Sequence, residues 1–242
     1  MISIFIPALN EAQNLNSTVK SILDAAAGAG NLEIEIIVVN DGSTDATENV
    51  LEELKKKYTF VRSIRHEKNL GFGAGFKAAL AEARHEKFLV VPGDNDLSSS
   101  SIQSLFAHRG KAEVVFLFFL NNEIRGRRRH MISNFFTLIY MATFGIFVQY
   151  LNSPCIYKTE KLRALRIRSS RFSVLAEVNT KLLCQGSTFY EVPGCRQNGL
   201  AGSTSLSFKN FIEVVVTYLK LVGEIKIFSR REFSQKPVRV NV

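Results

Sequence analysis

The first hundred residues alternate between short apolar runs and amphipathic stretches, and this alternation constrains the possible folds more than any other feature. Apolar runs typical of buried β-strands lie at residues 2–6, 33–39, 60–64 and 88–91. Between the first two runs, Leu15, Val19 and Ile22 recur at helical spacing. Strands that alternate with helices usually pair in parallel. The sequence therefore predicts an α/β fold with a mostly parallel central sheet flanked by helices.

Two of the predicted helices carry local signals. Asp45 is followed three residues later by Glu48, which is typical of a capping box at a helix start. Another helix should follow the glycine-rich segment 69–75, with Phe76 and Leu80 on its inner face.

The second half of the chain has a different pattern. A buried strand is expected at residues 114–120, and residues 131–157 contain no charged side chain. Apolar residues recur at helical spacing between 208 and 228. Neither an internal repeat nor a low-complexity linker interrupts the chain. We therefore predict a catalytic domain over residues 1–205, with a C-terminal amphipathic helix and tail over 206–242 that belongs to the same unit.

The charge of the chain indicates an anionic partner. Lys and Arg number 31 against 22 Asp and Glu, which gives a formal charge of +9. The excess lies mainly in the second half, where Arg125 and Arg127–Arg129 cluster. Basic proteins bind anionic lipid, phosphorylated substrates or nucleic acid. Nucleic acid is disfavoured because the sequence has no recognition motif and carries acidic residues after its predicted strands.

The three cysteines, Cys155, Cys184 and Cys195, are odd in number and form no CxxC pair. The first residues lack the basic region of a signal peptide and are interrupted by Pro7 and Glu11. Reduced thiols and a cytoplasmic location are therefore expected. The sequence does not indicate an oligomeric state.

The segment Gly93-Asp94-Asn95-Asp96 follows the fourth predicted strand directly. Residues two apart in an extended chain point to the same side, so Asp94 and Asp96 could converge at the strand's carboxyl end. A hard cation such as Mg²⁺ or Mn²⁺ uses one or two carboxylates and takes further oxygens from a diphosphate. A solvated loop of turn-forming residues would explain the same segment.

Polar residues also follow the first and second predicted strands, at 7–15 and 39–45. In a parallel sheet they would lie at the same edge as Asp94, where carboxylates can accept hydrogen bonds from base N–H groups or ribose hydroxyls. Helix capping alone would account equally well for either turn.

Together these segments resemble glycosyltransferase family 2, which has the GT-A fold, and more narrowly its dolichyl-phosphate mannose synthase and polyprenyl-phosphate glycosyltransferase branch. The resemblance covers roughly residues 2–205. It rests on Pro-x-x-Asn-Glu-x-x-Asn-Leu at 7–15, Val-Asn-Asp-Gly-Ser-Thr-Asp at 39–45, Asn-Leu-Gly-Phe-Gly at 69–73 and Asp-x-Asp at 94–96.

The resemblance implies roles for individual residues. Asp94 and Asp96 would hold the metal, Mg²⁺ or Mn²⁺, together with the donor diphosphate. The nucleotide pocket would be lined by Pro7, Asn10, Glu11, Asp41 and Ser43.

Two further candidates lie in segments that resemble the family's distal motifs. Glu177 is either a catalytic residue or part of a buried salt bridge, because an unpaired carboxylate in its apolar surroundings would be costly. The fork of Arg196 suits a diphosphate or a lipid phosphate. The stretch 199–205 that follows is a candidate lid over the donor. Ser98 and Asn152 depart from the family pattern, where many relatives carry glutamine and aspartate.

These observations predict an inverting, metal-dependent transfer of a sugar from a UDP- or GDP-sugar to a polyprenyl-phosphate acceptor. A hydroxyl acceptor in glycan synthesis is the alternative, and Glu177 would then be the general base. A non-catalytic membrane scaffold that binds nucleotide sugars is an alternative of another class. A nucleotidyltransferase is disfavoured because the turn after the first strand is acidic.

The uncharged run 131–157 is long enough to cross a bilayer. A single crossing would, however, place Asp94 and Glu177 on opposite sides of the membrane. We therefore predict a peripheral segment that lies in the membrane interface, with the arginines at 125–129 on anionic headgroups. An ordinary buried helix is the alternative.

Overall fold

In the computed structural model, residues 1–121, 124, 127–197 and 208–241 are described, with the backbone alone at 127–130 and 208–211. Eight strands of these residues form one sheet. They are β1 Ile2–Ala8, β2 Ile34–Asp41, β3 Val61–His66, β4 Lys87–Val90, β5 Val114–Phe119, β6 Cys155–Lys158, β7 Thr188–Gly194 and β8 Val238–Arg239. The helices are α1 Leu15–Gly28, α2 Thr47–Lys57, α3 Phe72–Glu82, α4 Ser99–Ala107, α5 Arg127–Phe144, α6 Thr159–Ala164, α7 Val174–Cys184 and α8 Phe208–Val222, the last continued by a π-helical segment, Gly223–Phe228.

The sheet confirms the predicted α/β architecture. Its strand order is β3-β2-β1-β4-β6-β5-β7-β8. Only β6, among the described strands, runs antiparallel to its neighbours β4 and β5, and the other pairs are parallel. All the residues of β2 and nearly all those of β1 are buried, because helices cover the sheet on both faces.

The side chains of β1 alternate between two apolar layers. Phe5 packs with Phe76 of α3 and Phe88 of β4 on the face that also receives α5, α7 and the end of α8. Ile4 and Ile6 pack on the opposite face with α1, α2 and α4. The predicted inner face of α3 is confirmed, since Phe76 and Leu80 are both buried.

The predicted capping box at Asp45 and Glu48 is wrong. Helix α2 begins at Thr47, and Asp45 accepts hydrogen bonds from the backbone N–H of Thr47 (3.0 Å) and from its hydroxyl (2.5 Å). Glu48 turns away from the helix start and accepts a hydrogen bond from the side-chain amide of Asn40 at 2.5 Å. The sequence pattern identified the helix, but Asp45 bonds Thr47 and the backbone N–H of Ala12, and Glu48 bonds Asn40.

The uncharged run 131–157 does not form one continuous segment. Helix α5 ends at Phe144, and Gly145 follows with a left-handed φ of 68°. The end of the run forms β6, which lies inside the sheet between β4 and β5. In the part of the chain that the structure describes, we find no helix with the length and apolar character needed to span a membrane. Arg125, the side chains of the neighbouring arginines and the predicted lid at 199–205 lie outside the described residues.

The C-terminal part of the chain packs on the same core as the rest. Leu221, Ile225 and Phe233 are buried in the layer that contains Phe5. Strand β8 extends the sheet by pairing with β7. The boundary proposed at residue 205 stays a prediction. The three cysteines are free thiols.

Replacing Phe5 tests the central packing. Its ring lies 5.8 Å from that of Phe72, 6.2 Å from Phe76 and 6.4 Å from Phe88. We expect Phe5→Ala to lower the free energy of unfolding by about 3–5 kcal/mol, because the cavity would be enclosed on all sides. Urea denaturation measures the loss, with Phe147→Ala as the control, since Phe147 is 68% exposed. Equal losses in the two variants would contradict this account of the core.

Candidate active site

Three turns meet at one edge of the sheet. Strands β2, β1 and β4 are neighbours and run parallel, so their carboxyl ends lie side by side. The turns that follow them begin at Leu9, Gly42 and Val91. Open α/β sheets bind their ligands in this position. Every residue predicted to line the nucleotide pocket lies in or directly beside the first two turns.

The first and second turns are cross-linked by hydrogen bonds. The backbone N–H of Asn10 donates to the Ser43 hydroxyl at 2.9 Å, and the Thr44 N–H donates to the Asn10 side-chain carbonyl at 2.9 Å. The Glu11 N–H donates to the Thr47 hydroxyl, also at 2.9 Å. Asn10 has a left-handed φ of 59°, and its backbone and side chain both bond the second turn, at Ser43 and Thr44. The structure therefore brings Asn10 and Ser43 together, as predicted.

Asp41 joins the end of β2 to the start of α3. Its carboxylate accepts hydrogen bonds from the N–H groups of Leu70 (2.9 Å) and Gly71 (2.8 Å). It also lies 2.7 Å from Nδ1 of His66, its partner in the β2–β3 register. The sequence analysis missed His66, although the pairing of the two strand ends places it there. Asp41 is therefore a rigid hydrogen-bond acceptor at the end of β2, because it is buried and has three bonded partners.

Gly71 must be glycine for steric reasons. Its φ of 98° is left-handed, and a Cβ there would lie 2.6 Å from the carbonyl oxygen of Ser170. The same oxygen accepts a hydrogen bond from the Ala74 N–H at 3.0 Å. The segment around Ser170 is therefore pressed against the start of α3, a contact that no sequence signal indicated.

The turn that carries Asp94 packs directly on the end of β1. A Cβ at Gly93 would overlap the carbonyl oxygen of Pro7, so only glycine permits this approach. The Gly93 carbonyl accepts a hydrogen bond from the Thr18 hydroxyl at 2.9 Å. Helix α1 and β1 together thus fix where this turn begins.

The argument that Asp94 and Asp96 converge along an extended chain is wrong in its local geometry. Asn95 has a left-handed φ of 54°, and the Asp96 N–H donates to the Asp94 carboxylate at 3.2 Å. This is a tight Asx turn, not an extended segment. Asp94 is half-buried at the rim of the turn, whereas Asp96 is fully buried.

Asp96 forms a buried ion pair with Arg196, which follows β7. The guanidinium of Arg196 also stacks on the Phe119 ring, with its carbon 3.6 Å from the ring centroid. Asn121 holds the backbone of Arg196 through two hydrogen bonds of 2.9 and 3.0 Å. In this structure the predicted phosphate ligand therefore binds the second predicted metal ligand. The role of Arg196 toward phosphate stays a prediction that requires this pair to open.

The site is electrostatically negative around Glu11. Burial raises the pKa of the half-buried Glu11 carboxyl, and the negative charges of Asp94 and Asp45 raise it further, against a hydrogen bond from Asn14 that lowers it. A bound cation stabilises the charged form of a carboxyl that has other carboxylates beside it. The local charge thus favours a cationic partner at this edge of the sheet.

The side chains at this edge suit a metal ion that takes only some of its ligands from the protein. Among the described residues, no group of three or more His, Cys, Asp or Glu side chains is placed to hold a metal ion. Mg²⁺ commonly uses one or two carboxylates and completes its shell with water and substrate phosphates. Asp94, half-buried and beside Glu11, fits that arrangement.

Glu177 forms the buried salt bridge that was one of its two predicted interpretations. Its carboxylate lies 2.8 Å from the Lys181 ammonium, and both side chains are at most 2% exposed. It also accepts hydrogen bonds from the N–H groups of Arg168 (2.9 Å) and Ser169 (2.7 Å). Burial alone would raise the pKa of Glu177, but Lys181 and the N–H donors bring it below the ordinary value.

Glu177 acts on the site through the backbone. The N–H groups that it binds belong to the segment whose Ser170 carbonyl contacts Gly71. Gly71 in turn donates its N–H to Asp41. These contacts connect Glu177 to Asp41 through the backbone, and any role of Glu177 in the reaction, including that of a general base, stays a prediction.

The two departures from the family pattern have different surroundings. Ser98 is the N-cap of α4, where its hydroxyl accepts a hydrogen bond from the Ser101 N–H at 3.2 Å. A capping hydroxyl explains why serine suits this position. Asn152 is half-buried, and its side-chain carbonyl has no hydrogen-bond partner among the described residues.

Removing the Lys181 ammonium should destabilise the fold in a pH-dependent way. Lys181 bonds both Glu177 and Glu224, so Lys181→Met leaves two carboxylates without it. We expect a loss of about 3–5 kcal/mol at pH 7, as for other broken buried pairs. Because the folded pKa of Glu177 lies below the ordinary 4.5, its contribution is present above that pH and is lost as pH falls through the folded value.

The loss caused by Lys181→Met should therefore be smaller at pH 4.5 than at pH 7, since protonation removes the buried charge of Glu177, whereas Glu224 keeps its pair with Arg168. Urea denaturation at both pH values measures it. Lys55→Met is the control, because Lys55 forms a more exposed pair with Glu52 whose loss should cost less than about 1 kcal/mol. Equal losses at the two pH values would show that the ion pair is not the cause.

Comparison with known proteins supports this description. The profile of glycosyl transferase family 2 matches residues 3–172. A cholesterol galactosyltransferase of Borreliella burgdorferi is 30% identical over 46% of this chain and 30% of its own length. A dolichyl-phosphate beta-glucosyltransferase of Trichomonas vaginalis is 30% identical over 47% of this chain and 38% of its own, and a dolichol-phosphate mannosyltransferase of Pyrococcus furiosus is 36% identical over 38% and 25%. The chain thus spans well under half the length of these relatives.

Solved structures share the fold. The Mycobacterium tuberculosis glucosyl-3-phosphoglycerate synthase in complex with Mn²⁺, uridine diphosphate and phosphoglyceric acid aligns with a TM-score of 0.67 and 19% identity, over 92% of this chain and 78% of that one. Staphylococcus aureus TarS in complex with UDP-GlcNAc aligns with a TM-score of 0.67 and 18% identity, over 96% and 69%.

Proposed function

The chain belongs to glycosyl transferase family 2 and has the GT-A fold, and from this premise we propose that it transfers a sugar from a nucleotide-sugar donor to a polyprenyl phosphate. The observation that carries the proposal is the acidic edge of the sheet, where Asp41, Glu11 and Asp94 follow three adjacent strands. A cation bound at this edge would offset its negative charge and could hold a nucleoside diphosphate there.

The first two turns would bind the nucleoside. Asp41 is held rigidly by its hydrogen bonds to Leu70 and Gly71, so the remaining lone pairs of its carboxylate have fixed directions. A base N–H or a ribose hydroxyl could donate to them. Asn10 and Ser43 shape the neighbouring wall through their mutual hydrogen bond, and Pro7 lies beneath the third turn.

Asp94 would hold a divalent cation together with the donor diphosphate, and Asp96 would keep the turn in place through Arg196. When bound, Mg²⁺ or Mn²⁺ would offset the charge that develops on the departing nucleoside diphosphate. The solved relative from M. tuberculosis contains Mn²⁺ and uridine diphosphate, which supports the same pairing here.

The acceptor would attack the anomeric carbon from the face opposite the diphosphate, so one displacement inverts that centre. A phosphate acceptor needs no strong general base, because its second pKa is about 6 and it is largely dianionic at neutral pH. Two relatives are named for dolichyl or dolichol phosphate, which supports a lipid phosphate acceptor. Such an acceptor would place the enzyme at the cytoplasmic face of a membrane.

A hydroxyl acceptor is the second candidate. The relative from B. burgdorferi is named for cholesterol, whose acceptor group is an alcohol. An alcohol must lose its proton during the reaction, so this candidate requires a base. Glu177 is already bonded to Lys181 and two N–H groups, which leaves it poorly suited to that role. The geometry therefore favours a phosphate acceptor.

Transfer to undecaprenyl phosphate tests the proposal. Labelled UDP- and GDP-sugars would be supplied with Mn²⁺ or with EDTA, and the label in the organic phase measured. We expect metal-dependent transfer that falls about a hundredfold or more in Asp94→Asn, because several kcal/mol of charge stabilisation is lost. Asp24→Asn is the matched control, since Asp24 is exposed on α1 and lies outside the three turns. Undiminished transfer by Asp94→Asn would overturn the assignment of the site.

Glu177→Gln distinguishes the acceptors. With a phosphate acceptor, this variant should lose only a small part of its transfer activity. That loss would arise because the hydrogen bond from the Ser169 N–H to residue 177 is weakened and the segment is held less firmly. A loss as large as that of Asp94→Asn, in a protein whose thermal unfolding is unchanged, would support a hydroxyl acceptor. Donor binding without either transfer or donor hydrolysis would instead support the non-catalytic scaffold.

A further inference from the structure

Helix α5 presents an apolar stripe to the outside of the molecule. Met131, Phe135 and Leu138 recur at helical spacing and are 68%, 65% and 57% exposed. The opposite side of the helix is packed against the protein, since Tyr140 and Phe144 are buried in the core. Large apolar side chains usually face the other way on a surface helix. Helix α5 therefore carries apolar side chains on both its core-facing side and its outward side.

Helix α8 repeats this arrangement. Its inner side contributes Leu221 to the core, while Ile212, Val215, Val216 and Leu219 face outward at spacings of three and four residues. The π-helical segment that follows adds two of the most exposed apolar side chains of the described chain, Ile227 (68%) and Phe228 (84%).

The two helices are in direct contact. The ring of Tyr218 on α8 lies 5.3 Å from that of Tyr140 and 6.1 Å from that of Phe144 on α5. The Tyr218 hydroxyl is hydrogen-bonded to that of Thr143 at 2.7 Å. We call the outward side chains of α5, α8 and the π-helical segment the α5–α8 surface. Apolar exposure on two adjoining helices is what marks an interaction site, unlike single exposed residues.

The charges around the α5–α8 surface are sorted by sign. The acidic residues of α8 and the π-helical segment turn inward, where Glu213 accepts a hydrogen bond from Ser173 and Glu224 pairs with Lys181. Exposed basic side chains instead accompany the apolar ones, namely Lys220, Lys226, Arg230 and Arg231, against one exposed acidic side chain, Glu232. The sequence of α5 contains no acidic residue. The outward face is thus apolar and positively charged.

We propose that the α5–α8 surface docks on a bilayer that contains anionic lipid. An interfacial helix binds by burying apolar side chains at the level of the headgroups, and basic residues add attraction to anionic lipid. This deepens the proposed function by naming the face that meets the acceptor's membrane. The vesicle assays that test it need neither donor nor acceptor, so docking and sugar transfer can fail independently.

The position of this surface suits a membrane-borne substrate. Glu213 of α8 contacts Ser173, which lies three residues beyond Ser170. Ser170 in turn lies against Gly71, which donates its N–H to Asp41. The segment between the α5–α8 surface and the nucleotide pocket is therefore short, and it connects the two by direct contacts.

Single-tryptophan variants test the docking face directly, because the natural chain has no tryptophan. Phe135→Trp and Phe228→Trp should each show a blue shift in emission when vesicles of phosphatidylcholine and phosphatidylglycerol are added. Thr59→Trp is the control, since Thr59 is exposed near α2 on the opposite face of the sheet. A blue shift at residue 59 but not at 135 and 228 would overturn the proposed orientation.

Vesicle flotation of the full chain separates the apolar and electrostatic contributions. Phe135→Ser combined with Leu219→Ser should lower the partition coefficient about tenfold or more, because two large side chains no longer enter the lipid. Arg230→Glu combined with Arg231→Glu should abolish the preference for anionic vesicles. The control for this second pair is Lys56→Glu with Lys57→Glu, which makes the same change in net charge on α2.

The remaining outcomes decide against the proposal. Flotation that survives the serine variant but not the glutamate variant would indicate nonspecific electrostatic adsorption. A concentration-dependent dimer without lipid, abolished by the serine variant, would show that a second copy covers the surface. Circular dichroism and urea denaturation confirm that each variant is folded, which the exposure of every replaced side chain leads us to expect.

Discussion

The parallel pairing of β1 with both β2 and β4 is the constraint on which the rest of the site depends. Ile2 of β1 is level with Ile34 of β2 and with Lys87 of β4, so the three carboxyl ends emerge close together. Each turn can then reach its neighbour with short side chains, as Asn10 and Ser43 do. Gly93 can lie on Pro7 only because β4 ends beside β1. An acidic edge built this way is rigid before any ligand arrives.

Two buried ion pairs fix the irregular segments around this edge. Asp96 with Arg196 secures the third turn against the end of β7, and Glu177 with Lys181 secures the segment that packs on α3. Buried pairs contribute little net stability, because desolvation offsets their attraction. Their contribution here is to geometry. Each pair holds a segment that lacks regular hydrogen bonding, because the buried charges meet in only one arrangement of that segment. Function at the site therefore depends on residues that need not touch a substrate.

Much of the fold could be predicted from the sequence, because β1, β2 and β4 are mostly apolar and the helices between them are periodic. The details depend on contacts that a local pattern does not contain. Asn95 adopts a left-handed conformation, which defeats an argument from extended-chain spacing. Glu48 bonds Asn40 rather than its own helix start. Strand β6 enters the sheet from an uncharged run whose composition also suits a helix.

The candidate site was predicted less completely than the fold. The turns at Asn10, Asp41 and Asp94 follow strand ends, so their proximity is a consequence of topology alone. The pairing of Asp96 with Arg196 joins residues a hundred positions apart, and neither sequence segment indicates the other. His66 could have been found only from the register of β2 and β3. The residue types at the strand ends thus predicted where the site lies. Long-range pairing determines which of its side chains can still bind a ligand.

The distribution of charge carries the functional argument one step further. The chain is positive overall, yet at its candidate site burial raises the pKa of Glu11, and the negative charges of Asp94 and Asp45 raise it further. Under the proposed function, both the donor diphosphate and the acceptor phosphate are anions, so they would be repelled by Asp94 unless a cation came with them. The basic side chains that could attract an anionic membrane lie instead on α8 and on the segment that follows it. Under the two proposals, attraction to the membrane and binding at the site would be separated in space, so the protein could hold its lipid surface while the site admitted phosphate only together with metal.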